Sequence, residues 1–239
     1  MSLNTSAPLS RSSRFTALSA CLLAALAWLS PAIASAATLE GRIKLQEKRS
    51  SKLSKEVRFA VVYFEPDAET DVEPSPEPLE IVMSRKAFLP RVLPVTVGTR
   101  VQFPNDDRIL HNVFSLSKGN RFDLGLYRRG KVKDNVFETP GVVQIFCNVH
   151  HAMVAYVLVL DTPFMTQPAA DGSFTLEGLP EGSGTLTIWH ERAAPVVRKI
   201  SLPRGELIDV EMPITKPRIP PHRNKFGKPY KRNRRGRAY

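Results

Sequence analysis

The chain has 239 residues, with 34 Lys and Arg against 23 Asp and Glu, and an apolar fraction of 42%. This composition excludes a fully disordered chain, and no glycine period or heptad repeat indicates a fibrous protein. The net charge of +11 does not indicate a nucleic-acid partner, because residues 1–37 and 214–239 hold twelve bases and no acid while the rest of the chain is nearly neutral.

The N-terminus has the order of a secretory signal peptide. Arg11 and Arg14 precede an uncharged apolar run over residues 15–30, and small residues follow at 34–36, where a signal peptidase cleaves. We therefore expect residues 1–37 to be a cleaved signal peptide and the mature protein to lie in the periplasm.

Two alternatives to cleavage near Ala37 stay open. One is an uncleaved membrane anchor, although the apolar run is short for a bilayer. The other is a lipoprotein signal at Cys21, which would leave a very short apolar region. With the signal peptide removed, Cys147 is the one remaining thiol in an oxidising compartment. It must then be buried and inert, or bound to something.

The mature sequence predicts β-strands almost throughout. Residues 38–64 are expected to form N-terminal β-strands. Residues 65–80 hold seven acids, no base and four prolines, which predicts an extended acidic linker.

Residues 81–162 predict a β-sandwich. Alternating apolar residues on both sides of Gly98 predict a hairpin. The runs 142–147 and 154–160 are apolar on both faces, which is typical of strands inside a sandwich.

Residues 163–213 predict about four further short strands, which are too few to form a large core alone. We expect this block to pack against the preceding domain or to recruit the strands of 38–64 across the linker. Residues 214–239 contain ten bases and no acid, which predicts a disordered basic tail. Its partner would be an anionic lipid or an acidic protein, or it would only aid solubility.

Most of the residues that could bind a metal lie between the two apolar runs, in a segment that carries Cys147, His150 and Met153. One more, His111, lies at the end of the predicted hairpin. One thiolate, two imidazoles and one thioether form the ligand set of a blue-copper electron-transfer site. The thiolate suits both oxidation states of copper, and strands at both ends of the segment keep its geometry fixed. We therefore predict one mononuclear type 1 copper site with these four ligands.

The spacing Cys-x2-His-x2-Met resembles that of the cupredoxins, in particular amicyanin and the plastocyanin-like proteins often named methylamine-utilisation proteins. The resemblance covers residues 81–162 and includes His111 followed by Asn112. It implies a Greek-key sandwich, copper ligands at the positions already named, and a supporting role for Asn112, which would tie the ligand loops together. Residues 163–213 resemble a carboxypeptidase-regulatory or transthyretin-like β module.

One residue departs from the pattern of the family. Loops that resemble this one usually carry Pro after the ligand His, whereas this chain carries His151, so either imidazole could reach the metal. The spacing favours His150 as the ligand. His151 is then expected to be exposed beside the site, where it titrates near neutrality and modulates the site, or has no role.

We expect an exported electron carrier in which His150 passes single electrons between redox partners such as a cytochrome or a dehydrogenase. No enzymatic reaction is expected, since a metal-bound thiolate cannot act as a nucleophile. Two alternatives use the same residues differently. One is a periplasmic copper-delivery protein without redox turnover, and the other is a metal-free β binding module in which Cys147 and Met153 only pack.

Overall fold

The computed structural model describes residues 36–47 and 54–230, so the predicted signal peptide, with Cys21, lies almost entirely outside the described residues. The prediction of an all-β chain is confirmed. Within the described ranges the single helical segment is a 3-10 helix of five residues, Lys55–Phe59. No helix in these ranges is long and apolar enough to cross a membrane. The strands are β1 (Ala37–Gln46), β2 (Val61–Pro66), β3 (Leu79–Glu80), β4 (Val82–Ser84), β5 (Ala87–Leu89), β6 (Val92–Thr96), β7 (Thr99–Pro104), β8 (His111–Ser115), β9 (Phe122–Tyr127), β10 (Val132–Phe137), β11 (Gly141–Phe146), β12 (Val154–Leu160), β13 (Met165–Thr166), β14 (Ser173–Leu179), β15 (Gly182–Trp189), β16 (Val196–Leu202) and β17 (Ile208–Pro213).

In the described part of the chain, four sheets stack into two sandwiches. In the first sandwich, the sheet β10-β7-β3 faces the five-stranded sheet β6-β12-β11-β8-β9. In the second, the sheet β13-β2-β15-β16 faces the sheet β14-β1-β17. A short hairpin, β4-β5, closes one end of the first sandwich. Each sheet packs through alternate residues of its strands, because successive side chains of a strand point to opposite faces.

The strand β12 of the first sandwich is covered on its outer face by the second sandwich, and all seven of its residues are buried. Ala155, Val157 and Val159 face the core of the first sandwich. The alternate residues of β12, with Val61 and Trp189 of the second sandwich, form a separate apolar layer between the sandwiches. This position explains why the sequence of β12 is apolar on both faces.

The two N-terminal strands belong to the second sandwich. β1 pairs in parallel with β17 and antiparallel with β14, and β2 pairs antiparallel with both β13 and β15. Both arrangements that the sequence left open are present, because residues 38–64 are recruited across the linker and the resulting sandwich packs against the first one. The likeness of residues 163–213 to a transthyretin-like module stays a prediction.

The hairpin predicted around Gly98 is not formed. β6 pairs in parallel with β12, whereas β7 pairs with β10 and β3 in the opposite sheet. The backbone N–H of Val97 donates to Leu160 in one sheet, at 3.0 Å, and that of Gly98 donates to Phe137 in the other, at 2.8 Å. The turn therefore crosses from one sheet to the other instead of reversing within one sheet.

The predicted acidic linker, residues 65–80, begins inside the second sandwich, because Glu65 and Pro66 are still part of β2 and pair with β15. Further along, it is attached to the first sandwich. The hydroxyl of Thr96 donates to the carbonyl oxygen of Glu73 at 2.8 Å, and the backbone N–H of Ser75 donates to the hydroxyl of Thr99 at 3.1 Å. The linker ends in β3, which joins β7 in parallel.

The prediction of a disordered tail over residues 214–239 is wrong for its described part. Ile214 is buried, and its N–H donates to the carbonyl oxygen of Gln46 at 2.8 Å. Residues 216–230, named here the C-terminal strap, continue across the first sandwich, where the ring of Tyr230 packs on other aromatic rings. Composition predicted disorder because the segment is basic and rich in proline, yet its rings and backbone find partners on the folded surface. Residues 231–239 lie outside the described part of the chain.

A buried ion pair joins the two sandwiches to the strap. The Nε atom of Arg91, just before β6, lies 2.5 Å from a carboxylate oxygen of Glu191, just after β15. The same guanidinium group donates to the carbonyl oxygens of Val154, at 3.2 Å, and of Arg218 in the strap. Both side chains of the pair are almost fully buried, so each depends on the other for charge compensation.

Replacing Glu191 alone should strongly destabilise the protein. In Glu191→Ala the Arg91 charge stays buried without its partner, and we expect the free energy of unfolding to fall by about 3–5 kcal/mol in urea denaturation. The double variant Arg91→Met with Glu191→Leu should lose less, because no charge remains buried. The exposed pair of Asp67 and Lys199 is the matched control, and Asp67→Ala should cost less than about 1 kcal/mol. An equal loss of unfolding free energy in Glu191→Ala and Asp67→Ala would contradict this explanation.

Candidate metal centre

The ligand loop, residues 147–153, joins β11 to β12 at one end of the first sandwich. Phe146 and Val154 are the last paired residues of the two strands, so the loop begins and ends at adjacent positions. The backbone N–H of Cys147 donates to the carbonyl oxygen of Met153 at 3.3 Å, and that of Met153 donates to His150 at 3.0 Å. These bonds hold the first, fourth and seventh residues of the loop close together.

Three donor atoms of the predicted ligands converge. Nδ1 of His111 lies 3.1 Å from Nδ1 of His150, and the Cys147 sulfur lies 3.9 and 3.7 Å from these two nitrogens. A triangle with these sides has its centre about 2.1 Å from each corner, within the range of about 2.0–2.3 Å for bonds from His nitrogen and Cys sulfur to a zinc ion. The three side chains therefore fit one metal ion without rearrangement.

Met153 and His151 are the other two candidate ligands. Met153 ends the ligand loop and is buried in the same apolar cluster as Cys147. The prediction that His151 is exposed beside the site is wrong. Its half-buried ring is stacked on His222 of the strap, with centroids 4.4 Å apart, and burial lowers the pKa of His151. The group of converging donors contains His150 and not His151.

A carboxylate orients the buried ring of His111. Nε2 of His111 lies 2.8 Å from Oδ2 of Asp107. When Nε2 carries the proton and donates it to Asp107, Nδ1 is left with a free lone pair directed at the other donors. No sequence motif predicted this role of Asp107, although it lies in the same loop, four residues before His111.

Asp107 is itself held by a turn between β4 and β5. The backbone N–H groups of Arg85 and Lys86 donate to its two oxygens at 2.7 and 2.8 Å. Both residues adopt the left-handed conformation, with φ of 54° and 57°, which turns the two N–H groups toward one carboxylate. Burial raises the pKa of Asp107, but hydrogen bonds from Lys86, His111 and Arg85 outweigh it, so the pKa lies below its usual value.

The Cys147 side chain is fully buried and free of any disulfide. Burial raises the pKa of its thiol, while backbone hydrogen bonds from Asn112, Val149 and His150 partly oppose this effect. The same N–H groups would stabilise a thiolate once a metal ion had displaced the proton.

Asn112 links the two segments that carry the ligands. Its side-chain N–H donates to Asp123 at 2.7 Å and to the carbonyl oxygen of Gly125 at 3.0 Å. Its carbonyl oxygen accepts the backbone N–H of Asn148, in the ligand loop, at 3.3 Å. The supporting role that the family resemblance implies for Asn112 is consistent with these contacts.

His150 is the ligand candidate nearest to solvent, and its side chain is half-buried. Its pKa is lowered by burial and by the charges of His111 and Lys86, with Asp107 acting in the opposite direction. At neutral pH the ring is therefore neutral and able to donate a lone pair.

No protein-family model and no curated protein matches the chain. Cupredoxins and one copper enzyme are among the solved structures that resemble part of it. A purple cupredoxin from Nitrosopumilus maritimus is 26% identical over 34% of this chain and 99% of its own, with a TM-score of 0.31. A reduced amicyanin mutant is 18% identical over 43% of this chain and 99% of its own, with a TM-score of 0.34.

A Cu-containing nitrite reductase from Thermus scotoductus SA-01 is 21% identical over 49% of this chain, with a TM-score of 0.35. The chain spans 28% of the length of that enzyme.

The carboxylate of Asp107 should matter for metal binding. Asn at this position cannot accept from His111, Arg85 and Lys86 together, because its side chain has only one acceptor oxygen. We expect Asp107→Asn to weaken copper affinity by about 10- to 100-fold in competition with a chelator. The exposed neighbour Asp106 provides the control, and Asp106→Asn should bind copper normally. Equal affinities for the two variants would remove Asp107 from the site.

In the metal-free protein the Cys147 thiol should react slowly. Because its pKa is raised, less thiolate is present at pH 7, and burial further restricts access. Alkylation by iodoacetamide, followed by mass spectrometry of the Cys147 peptide, should be at least about tenfold slower in the folded protein than in guanidinium chloride. The folded-state rate should still be rising at a pH where the unfolded-state rate has levelled off. Equal rates in the two states would contradict the buried, protonated thiol.

Proposed function

We propose that the protein binds one copper ion in a type 1 site and carries single electrons between redox partners. His111, Cys147 and His150 would hold the ion, and Met153 would supply a fourth, weaker ligand. The observation that supports this proposal is the triangle of one sulfur and two nitrogens, whose centre lies at bonding distance from all three.

The types of the four donor atoms favour copper over zinc. A thiolate and a thioether suit copper(I), the imidazoles suit copper(II), and a thioether is a poor ligand for zinc. Copper, when bound, supplies a one-electron couple. The contribution of the protein is to hold the donors in place, because Asp107 fixes the ring of His111 and Asn112 fixes the ligand loop against β8.

The half-exposed edge of His150 is the proposed route for electrons. His111 and Cys147 are fully buried, so an outer-sphere partner approaches the site most closely through His150. The protein catalyses no reaction of its own in this proposal, because four side chains occupy the site and leave no position for a substrate.

Export to the periplasm is part of the same proposal. The sequence of residues 1–37 supports a cleaved signal peptide, and an oxidising compartment suits a lone thiol that is protected by a metal ion. The redox partners would then be exported or membrane-bound proteins, such as a cytochrome or a dehydrogenase.

The identity of the loop ligand can be tested by a matched pair of substitutions. The protein reconstituted with copper(II) should show an intense visible thiolate band and a narrow copper hyperfine splitting in electron paramagnetic resonance. His150→Asn should lose both features, whereas His151→Asn should keep them, since His151 lies outside the donor triangle. Cys147→Ser should abolish the colour. A colourless wild-type protein, or a stoichiometric complex that rapidly gives up copper to a chelator, would contradict the electron-carrier proposal.

The axial ligand can be tested through the reduction potential. We expect Met153→Gln to keep copper and to lower the potential, because an amide oxygen stabilises copper(II) more than a thioether does. Met165→Gln, in β13 of the second sandwich, is the control and should leave the potential unchanged. An unaltered potential in Met153→Gln would remove Met153 from the set of ligands.

A further inference from the structure

The C-terminal strap lies directly on the ligand loop. The ring of His222 is stacked between Phe146 and His151, with centroid distances of 4.2 and 4.4 Å and interplanar angles of 14° and 7°. The hydroxyl of Tyr230 donates a hydrogen bond of 2.9 Å to the carbonyl oxygen of Cys147. The strap is therefore attached to the backbone of the residue that supplies the sulfur donor.

Lys225 makes a second attachment between the strap and the site. Its backbone N–H donates to the side-chain oxygen of Asn148 at 3.1 Å, and its ammonium group lies 2.5 Å from a carboxylate oxygen of Asp123. Asp123 also accepts a hydrogen bond from Asn112, the residue after His111. The strap thus connects the two segments that carry the predicted ligands.

Basic side chains are concentrated in two segments that contact the metal centre. One group consists of the bases in the turn that holds Asp107, together with the base directly after Asp107. The other group lies in the strap. The bases are Arg85, Lys86, Arg108, Arg223, Lys225 and Lys228, and the acids are Asp106, Asp107 and Asp123. Two of these acids are already engaged, Asp107 with His111 and Asp123 with Lys225. The charge that this face offers to a partner is therefore positive.

Apolar side chains lie among these charges. Ile109 and Leu110, directly before His111, are 39% and 53% exposed, and Phe226 of the strap is 68% exposed. A combination of apolar contacts with charges of one sign is typical of a transient protein interface, where the apolar part excludes water and the charges steer the encounter.

We propose that the strap and the turn at Arg85 and Lys86 form a docking face for an acidic redox protein. The inference rests on the proposed function, because it names the partner of the same site. A copper ion held at the site would supply the one-electron couple, going from copper(I) to copper(II) as the redox group of the acidic partner gains the electron. No bond is made or broken.

The attachment of the strap favours a protein over a lipid surface as the partner. Three of its bases, Arg223, Lys225 and Lys228, lie in the part of the strap that is hydrogen-bonded to the ligand loop at Asn148 and Cys147. A lipid headgroup would neutralise them without exchanging an electron, whereas an acidic redox protein uses both the charges and the site.

The docking face can be tested on the metal-free protein. A decaglutamate peptide titrated into isotope-labelled protein should shift the amide resonances of residues 85–86, 108–110 and 223–228. The double variant Arg223→Gln with Lys228→Gln should weaken binding by about fivefold. The control, Arg198→Gln with Lys199→Gln, removes two exposed charges from β16 and should leave the affinity unchanged.

Two results would overturn the docking face. The first is an equal loss of peptide affinity in the strap variant and the β16 variant, which would indicate general charge attraction. The second is binding to vesicles of phosphatidylglycerol and phosphatidylcholine, but not to decaglutamate, with the same dependence on the strap charges. That result would identify a membrane as the partner.

The copper-loaded protein gives an independent test by stopped-flow spectroscopy. Oxidation of the copper(I) form by anionic hexacyanoferrate(III) should slow as ionic strength rises, and oxidation by cationic tris(phenanthroline)cobalt(III) should accelerate. The double variant Arg223→Gln with Lys228→Gln should reduce both salt dependences. If the protein forms no blue copper site, the proposed function fails, and the peptide titration still reports on the docking face. If the site forms but both oxidants respond to salt alike, the docking face alone fails.

Discussion

The burial of one guanidinium group constrains the middle of the molecule. The charge of Arg91 is removed from water, so its N–H groups need partners within the protein. These partners come from three places, namely Glu191 after β15, the carbonyl group of Val154 next to the ligand loop, and the carbonyl group of Arg218 in the C-terminal strap. Because a missing partner leaves the charge without compensation, the two sandwiches, the end of the ligand loop and the strap have to assemble together.

Local patterns predicted the strands of this fold but not how they pair. The sequence of β12 is apolar on both faces, and such a strand is stable only between two packed layers, where the structure places it. The pairing of β1 with β17 connects distant parts of the chain, and no local pattern encodes it. Around Gly98 the same alternation and turn describe both a hairpin and a crossing between sheets. The choice depends on the partners Leu160 and Phe137, which are far away in sequence.

The donors of the site were predictable because their chemistry is rare and their spacing is short. Cys147 and His150 lie three residues apart on one loop, so the sequence alone places them together. The role of Asp107 was not predictable, since it depends on two successive left-handed residues, Arg85 and Lys86, and neither is of a type that signals this conformation. The ordered strap was not predicted because its composition shows only many basic residues and prolines. Its attachment depends on particular rings and carbonyl groups.

The packing of the strap also restrains the ligand loop. An electron-transfer site works best when its donors move little as the charge of the metal changes, and proline after the ligand His would restrict the loop covalently. His151 stands at that position here, and its ring is stacked on His222, which is stacked in turn on Phe146. Packing from the strap therefore restrains the loop at His151. In the proposed complex, a partner that engages the bases of the strap would act on the same residues that hold the backbone of Cys147, so docking and the geometry of the donors are mechanically linked.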